Sequence, residues 1–246
     1  FDVTIAKVQG KSVDVITSRG DKNLGGTDFD REIVKILSEK YKKEKKVPLN
    51  EKDKNFLDIA EKLKRILSVK DKASEVIDGP KGPLKIEITK AQFEKSIQIY
   101  LEKIKMLMEE ALDTAGCSHQ QISETLLVGG STRIPCVIET IKKIMKKTPK
   151  KGVNVDEAVA SGAAIYAGLL SKKDLNAAQK KSLNKVELQD ICNLYLGTYA
   201  LIKDPERNMF VKINSIIIPR DTKLPCSKTE RYTTTHDGQE QIDCSV

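Results

Sequence analysis

The sequence predicts a mixed α/β domain followed by an all-β segment, on three observations. Strand-type alternation and helix-type periodicity interleave from residue 1 to 170, a polar, lysine-rich stretch follows, and beyond residue 190 no apolar run keeps a helical period. The boundaries read as 1–172 for the α/β part, 173–189 for a linker and 190–246 for the β part.

Val3, Ile5 and Val8, then Gln9-Gly10, then Val13, Val15 and Ile16 alternate about a turn and predict a β-hairpin. Gly25-Gly26 lead through Asp28, Phe29 and Asp30 into a helix with Ile33, Val34, Ile36 and Leu37 at core spacing. Phe56, Ile59, Ala60, Leu63, Ile66 and Leu67 recur every three or four residues, the stripe of a second amphipathic helix. Gly79-Pro80 and Gly82-Pro83 interrupt the chain before a short strand at 84–88. Thr89 then caps one helix, with Phe93, Ile97, Tyr100, Ile104, Leu107, Met108 and Ala111 inward and Gly116 at its end.

Residues 125–128 read as a buried strand, Gly129-Gly130-Ser131 as a tight loop, and Pro135 as the first turn of a helix bearing Val137, Ile138, Ile141 and Ile144. Asp156-Glu157 open an alanine-rich helix, their charges suiting a helix N-terminus. In the β part, strands are expected at 194–202, 209–218 and 232–246, separated by Asp204-Pro205, Pro219, Pro225 and Asp237-Gly238.

Aromatic residues are only 4% of the 246 and Trp is absent, so aliphatic cores are expected. The longest uncharged apolar run, 158–170, contains Ser161 and two glycines and falls short of a membrane span. Because Phe1-Asp-Val-Thr-Ile5 already looks like a strand, the start reads as neither a signal peptide nor a natural beginning, and more sequence is expected past Val246. Cys117, Cys136, Cys192, Cys226 and Cys244 are odd in number and scattered, without a C-x-x-C pair, which points to reduced thiols in a cytoplasmic protein. The net charge of +8 includes a cluster of Lys142, Lys143, Lys146, Lys147, Lys150 and Lys151. Without interleaved aromatics it fits a solvated helix face better than a nucleic-acid site.

On the second helix Glu61, Lys64, Arg65 and Ser68 stand at i, i+3, i+4 and i+7 and share one face. A guanidinium there could stack on a flat ring while Glu and Lys meet ribose hydroxyls; an exposed, ion-paired face is the plainer alternative. Val128-Gly-Gly-Ser-Thr-Arg-Ile-Pro135 allows close backbone approach to a ligand at a helix start, or is simply a turn that needs glycine. It lacks the Lys-Ser/Thr of a P-loop. Asp2, Asp28 and Asp156 sit at element edges, suited to metal-bound water near phosphates or merely to capping and solvation.

In order, Phe1-Asp-Val-Thr-Ile5, Leu24-Gly-Gly-Thr-Asp-Phe-Asp30, Glu61-Lys-Leu-Lys-Arg-Ile-Leu-Ser68, Leu127-Val-Gly-Gly-Ser-Thr-Arg-Ile-Pro135 and Asn154-Val-Asp-Glu-Ala-Val-Ala-Ser-Gly-Ala-Ala164 resemble the 70-kDa heat-shock chaperone family. Ile218-Pro-Arg-Asp-Thr-Lys-Leu-Pro225 and Thr234-Thr-His-Asp-Gly-Gln239 resemble the opening of that family's β-sandwich. The resemblance implies an actin-like ATPase fold, its second lobe plus the returning helix of the first, followed by the start of an all-β substrate-binding sandwich. It implies that Glu61, Lys64, Arg65 and Ser68 grip the adenosine of ATP or ADP, with Gly129, Gly130, Ser131, Arg133 and Ile134 as the other wall and Asp156 beside the nucleotide. Asp2 and Asp28 match positions near Mg2+ and K+.

The family's first phosphate loop, its catalytic Lys, and the Asp and glycine triplet expected before Phe1 are not in this sequence, so the chain by itself is expected not to turn over ATP. Val186-Glu-Leu-Gln-Asp190 lacks the usual leucine run, and Cys192-Asn-Leu-Tyr-Leu-Gly197 is similar to a bacterial branch of the HscC type. Implied partners are extended, unfolded polypeptides, a J-domain co-chaperone and a nucleotide-exchange factor, with no membrane. The rival readings are a sugar kinase of the same fold and a scaffold or nucleic-acid binder using the lysine cluster.

Overall fold

The computed structural model describes residues 1–150, 152, 154–184, 186–206 and 208–241. Internal contacts divide the chain into two units, residues 1–3 with 20–173, and residues 4–19 with 174–246. The predicted hairpin is present as β1 (Asp2–Gln9) and β2 (Ser12–Gly20), turning at Gly10 with φ +61°.

The first unit is built on α1 (Gly26–Lys45) and α2 (Lys54–Leu67). Ile33, Val34 and Leu37 of α1 meet Phe56, Ala60, Leu63 and Leu67 of α2 in one apolar core, the two stripes read from periodicity. Asp53 caps α2, its carboxylate accepting the Asn55 N–H. A hairpin follows, β3 (Lys72–Gly79) and β4 (Gly82–Thr89), which seals the core with Ala73, Ile77, Ile86 and Ile88. Here β3 is additional to the expected single strand, and β4 begins two residues earlier than expected.

Tyr41 pins that hairpin. Its hydroxyl donates to the Gly82 carbonyl at 2.8 Å and accepts the Lys81 N–H at 2.9 Å, although the ring is fully buried. Thr89 caps the next helix, as expected, and does so in a reciprocal box with Gln92. The one expected helix is two: α3 (Lys90–Ser96) and α4 (Gln98–Thr114), parted at Ile97, whose φ −95° and ψ 5° leave the helical region. Phe93, Ile97, Leu101, Ile104, Met108 and Ala111 nevertheless stay on one buried face, and Gly116, at φ +62°, closes α4.

Among the described residues, 125–128 pair through one bridge, Leu126 with Lys150, and Leu126 and Val128 are exposed; residues 151 and 153, next along that edge, lie outside the described residues. The glycine loop instead becomes a 3₁₀ turn, Gly130–Arg133, that runs into α5 (Pro135–Met145) with proline at its first position. The alanine-rich helix is present as α6 (Ala158–Leu170), without a side-chain cap.

In the second unit the stretch read as linker carries a short helix, α7 (Ala177–Leu183), capped by Asn176, and a strand, β5 (Glu187–Gln189). β5 pairs in parallel with β2, Ser12 opposite Glu187 and Asp14 opposite Gln189, so the sheet order is β1-β2-β5. Beyond it are only strands: β6 (Ile191–Cys192), β7 (Leu196–Asp204), β8 (Met209–Ile218) and β9 (Thr222–Lys223). β7 and β8 form a long antiparallel hairpin, and β6 pairs with β9. The strand expected at 232–246 is not formed over 232–241, where no described partner edge lies alongside, and 242–246 fall outside the described residues.

One buried ion pair organises this unit. Arg19, 6% exposed, donates from Nη1 and Nη2 to Asp221 Oδ1 and Oδ2 at 3.1 and 2.8 Å, and Thr17 Oγ1 donates to Oδ1 at 3.0 Å. Donors from Arg19 and Thr17 outweigh desolvation and hold the Asp221 carboxyl below its ordinary range.

Candidate functional site

The expected site residues lie on five segments of the first unit: the head of β1, the start of α1, the outer face of α2, the 3₁₀ turn and the loop before α6. At the start of α1, Gly25 gives its N–H to Asp28 Oδ2 at 2.9 Å, while Asp28 Oδ1 takes Arg31 Nη1 at 2.7 Å. Both Asp28 oxygens are thus engaged, Oδ2 in the cap and Oδ1 in an i,i+3 ion pair. Gly26, one residue further on, is the meeting point of the site. A Cβ there would lie 3.0 Å from Ser131 Oγ and 3.2 Å from Lys64 Nζ, so glycine admits the 3₁₀ turn and α2 together.

On α2 the four-residue stripe is not uniform. Glu61 and Arg65 form an exposed i,i+4 pair at 2.6 Å, with Arg65 77% and Glu61 47% accessible. A pair so exposed is worth little to stability, and its guanidinium is at liberty to meet a planar ring. Lys64 is mostly covered, at 13% exposure, with Nζ 2.8 Å from Asp30 Oδ1 and 3.0 Å from the Gly26 carbonyl. Ser68 sits at the end of α2, its hydroxyl donating back to the Lys64 carbonyl at 2.9 Å.

Across from α2, Gly129 adopts φ +89° and its N–H reaches the Val155 carbonyl at 2.9 Å, which ties the turn to the loop before α6. Thr132 Oγ1 donates to the Gly129 carbonyl at 2.7 Å and locks the turn. A Cβ on Gly129 or Gly130 would meet nothing within 4 Å, so this side of the turn is open to a ligand. Arg133 and Asp156 form an exposed pair at 2.5 Å that bridges the turn and the loop. Ile134 is 4% exposed and belongs to the core, so only its backbone could face a ligand.

Asp2 is exposed at the head of β1, with no side-chain hydrogen bond among the described residues; a Cβ on Gly20 would collide with its Oδ1. Among the described residues no three His, Cys, Asp or Glu side chains are grouped to hold a metal ion. A magnesium ion usually takes one or two carboxylates and completes its shell with phosphate and water. Asp2 fits such a role, whereas Asp28 does not without leaving its cap.

Asp30 is the residue that sequence reasoning missed. Burial raises its carboxyl above the ordinary range, and the Lys64 ammonium only partly offsets this. The available signal was its position: Asp30, Ile33, Val34 and Leu37 fall at i, i+3, i+4 and i+7, which puts a carboxylate on an apolar stripe where it must find a partner.

The lysine cluster is largely engaged. Lys142 pairs with Glu139, Lys150 with Glu124, and Lys147 caps the Gln120 and Ile122 carbonyls; Lys151 lies outside the described residues. Among the described residues no helix is long and apolar enough to cross a membrane. The four described cysteines, Cys117, Cys136, Cys192 and Cys226, are free thiols, and Cys244 lies outside the described residues.

A family model described as Hsp70 protein matches residues 1–246. The chain is 35% identical over 257 residues to the chloroplastic stromal 70 kDa heat shock-related protein of Spinacia oleracea, covering 100% of this chain and 40% of that protein. It is 37% identical to the chaperone protein dnaK of Cyanidioschyzon merolae, over 100% of this chain and 39% of that one. It is 36% identical to the chaperone protein DnaK of Thermosipho africanus, over 100% and 40%. The chain therefore spans about two-fifths of the length of these relatives.

Proposed function

The chain belongs to the Hsp70 family, and from that premise we propose that it supplies the adenosine-binding side of an ATP-dependent molecular chaperone, together with the start of its peptide-binding β-sandwich. The single observation that most supports this is the convergence at Gly26 of Lys64 from α2 and Ser131 from the 3₁₀ turn. That convergence supports a cleft in which Glu61, Lys64, Arg65 and Ser68 hold one side of a nucleoside and Gly129, Gly130, Ser131 and Arg133 the other, with Asp156 beside Arg133.

Within that reading Arg65 stacks on the base, Lys64 donates to ribose oxygen, and the open backbone of Gly129 and Gly130 allows close approach. Bound ATP would bring the phosphoryl group whose transfer to water drives a chaperone cycle. Asp2 would hold Mg2+, which would offset phosphate charge, and Asp28 keeps its cap; a K+ held by Asp28 would require that cap to open. The actin-like ATPase fold follows from family membership. The proposal extends to holding and releasing extended polypeptide clients by strand-like contacts, and to J-domain and nucleotide-exchange partners. It also includes a cytoplasmic location, supported by the free described thiols, and the HscC-type branch, supported by the 192–197 segment.

Calorimetric titration of the chain with ATP and ADP, in magnesium and potassium, tests it against a Lys64→Ala, Arg65→Ala double variant. Saturable binding that weakens at least about tenfold in the variant is expected, since the loss includes a charge-assisted hydrogen bond. A folded chain by circular dichroism that binds neither nucleotide, or a variant that binds equally well, would refute it.

A further inference from the structure

Among the candidate ligand-contacting side chains on α2, Lys64 is the one anchored by partners on another helix before any ligand arrives, whereas Glu61, Arg65 and Ser68 bond within α2. Its neighbours Glu61 and Arg65 are exposed, but its own ammonium is fixed by the Asp30 carboxylate at 2.8 and 3.0 Å and the Gly26 carbonyl at 3.0 Å. Asp30 is itself 10% exposed on the apolar stripe of α1 and Lys64 13%, so each charge has little solvent as an alternative partner while a small part of the ammonium still faces outward. Gly26 tightens the arrangement, because it leaves no room beyond the Lys64 ammonium on one side and the Ser131 hydroxyl on the other. Two of the three ammonium donors are thereby committed, and the third remains for a ligand among the described residues.

Building on the nucleotide reading above, we propose that Asp30 is the positioning residue of the nucleoside site: it fixes the direction of the free Lys64 donor and cancels its charge, so that Lys64 selects a neutral oxygen acceptor, a ribose hydroxyl, over an anionic phosphate. The physical basis is general. A buried ammonium already paired with a carboxylate offers a hydrogen bond but little net field, whereas the same ammonium without its counter-charge attracts any anion. Pre-organisation adds to this, because a lysine with four rotatable bonds otherwise loses much of its hydrogen-bond energy to ordering.

The test compares the parent chain with Asp30→Asn, Lys64→Met and the double variant, titrated with adenosine, with 2′,3′-dideoxyadenosine and with inorganic phosphate. The parent should prefer adenosine to the dideoxy nucleoside by about tenfold, the worth of one charge-assisted hydrogen bond. In Asp30→Asn that preference should fall to the value of Lys64→Met and phosphate should compete with adenosine, while in the Lys64→Met background Asp30→Asn should cost nothing further. A purely structural Asp30 would lower affinity equally in both backgrounds, and that result overturns the proposal, as does a parent that binds both nucleosides alike.

The parent measurement needs no variant to fold, and a slowly exchanging Lys64 ammonium signal in nuclear magnetic resonance reads the clamp without nucleotide. If that signal is present and lost in Asp30→Asn but no form binds adenosine, the nucleotide reading and the positioning role fall together. If adenosine binds and Asp30→Asn is silent, only the positioning role falls.

Discussion

Asp221→Ala removes the carboxylate on which the buried guanidinium of Arg19 depends. Three hydrogen bonds go with it, two from Arg19 and one from Thr17, and Arg19, at 6% exposure, is left charged and without that counter-ion. Breaking a buried pair in this way costs about 3–5 kcal/mol, and because Asp221 retains 20% exposure, water can reach the gap and the lower end, about 3 kcal/mol, is the better figure. The readout should be local. Asp221 gives its N–H to the Cys192 carbonyl at 2.7 Å and Leu224 gives its own to Asp190 at 2.9 Å, so these amides report the opening of β6 from β9. Their hydrogen exchange should speed up by about 10²-fold, with amides of β3 and β4 unchanged. The companion Arg19→Met, Asp221→Ala should restore most of the protection, since an apolar pair of similar volume carries no stranded charge. Exchange at the parental rate in Asp221→Ala, or a double variant as labile as the single one, would refute the reasoning.

Acid should act on the same pair. The Asp221 carboxyl lies below its ordinary 3.8, so its contribution is complete above that value and is lost as pH falls through the lower folded value; the protection difference between parent and Asp221→Asn should close in that window. Leu63→Ala, at a fully buried position between α1 and α2, should destabilise the first unit by about 2–5 kcal/mol in urea unfolding followed by helical circular dichroism. Burial, with Glu94 nearby, pushes the Cys136 thiol up to about 11, so at pH 8 only about one molecule in a thousand is thiolate; mass-spectrometric maleimide labelling should find Cys136 slower than Cys117.

Much of the first unit could be read in the residues because its helices carry their own evidence. Phe56, Ala60, Leu63 and Leu67 announce a buried stripe, Thr89 and Gln92 a cap, Pro135 a helix start. β3 escaped notice because its outward positions are Lys72, Ser74, Val76 and Asp78 and its inward ones include Glu75 and Gly79, so the apolar alternation is reduced to Ala73 and Ile77. Residues 125–128 differ: the run is apolar, but a strand is a relation between two segments, and of its partner edge Lys150 is described while residues 151 and 153 lie outside the described residues. The same distinction runs through the site. Lys64, Ser131 and the glycine pair are legible as residue types, whereas the Asp30 to Lys64 bond joins two helices and belongs to tertiary structure.

The packing around Tyr41 has a bearing on which sequences can occupy this fold. Its ring is held by two hydrogen bonds at one end, and the ring face lies where a Cβ on Gly79 would come within 2.5 Å of Cζ and 2.8 Å of Leu49 Cδ2. Neither neighbour is a flexible tip that could step aside. In a library randomised at 79, selection for solubility alone should therefore return glycine at that codon, although Gly79 lies far along the sequence from both neighbours. Tyr41 and residue 79 would then vary as a couple: a bulkier residue at 79 becomes admissible only where position 41 has shrunk.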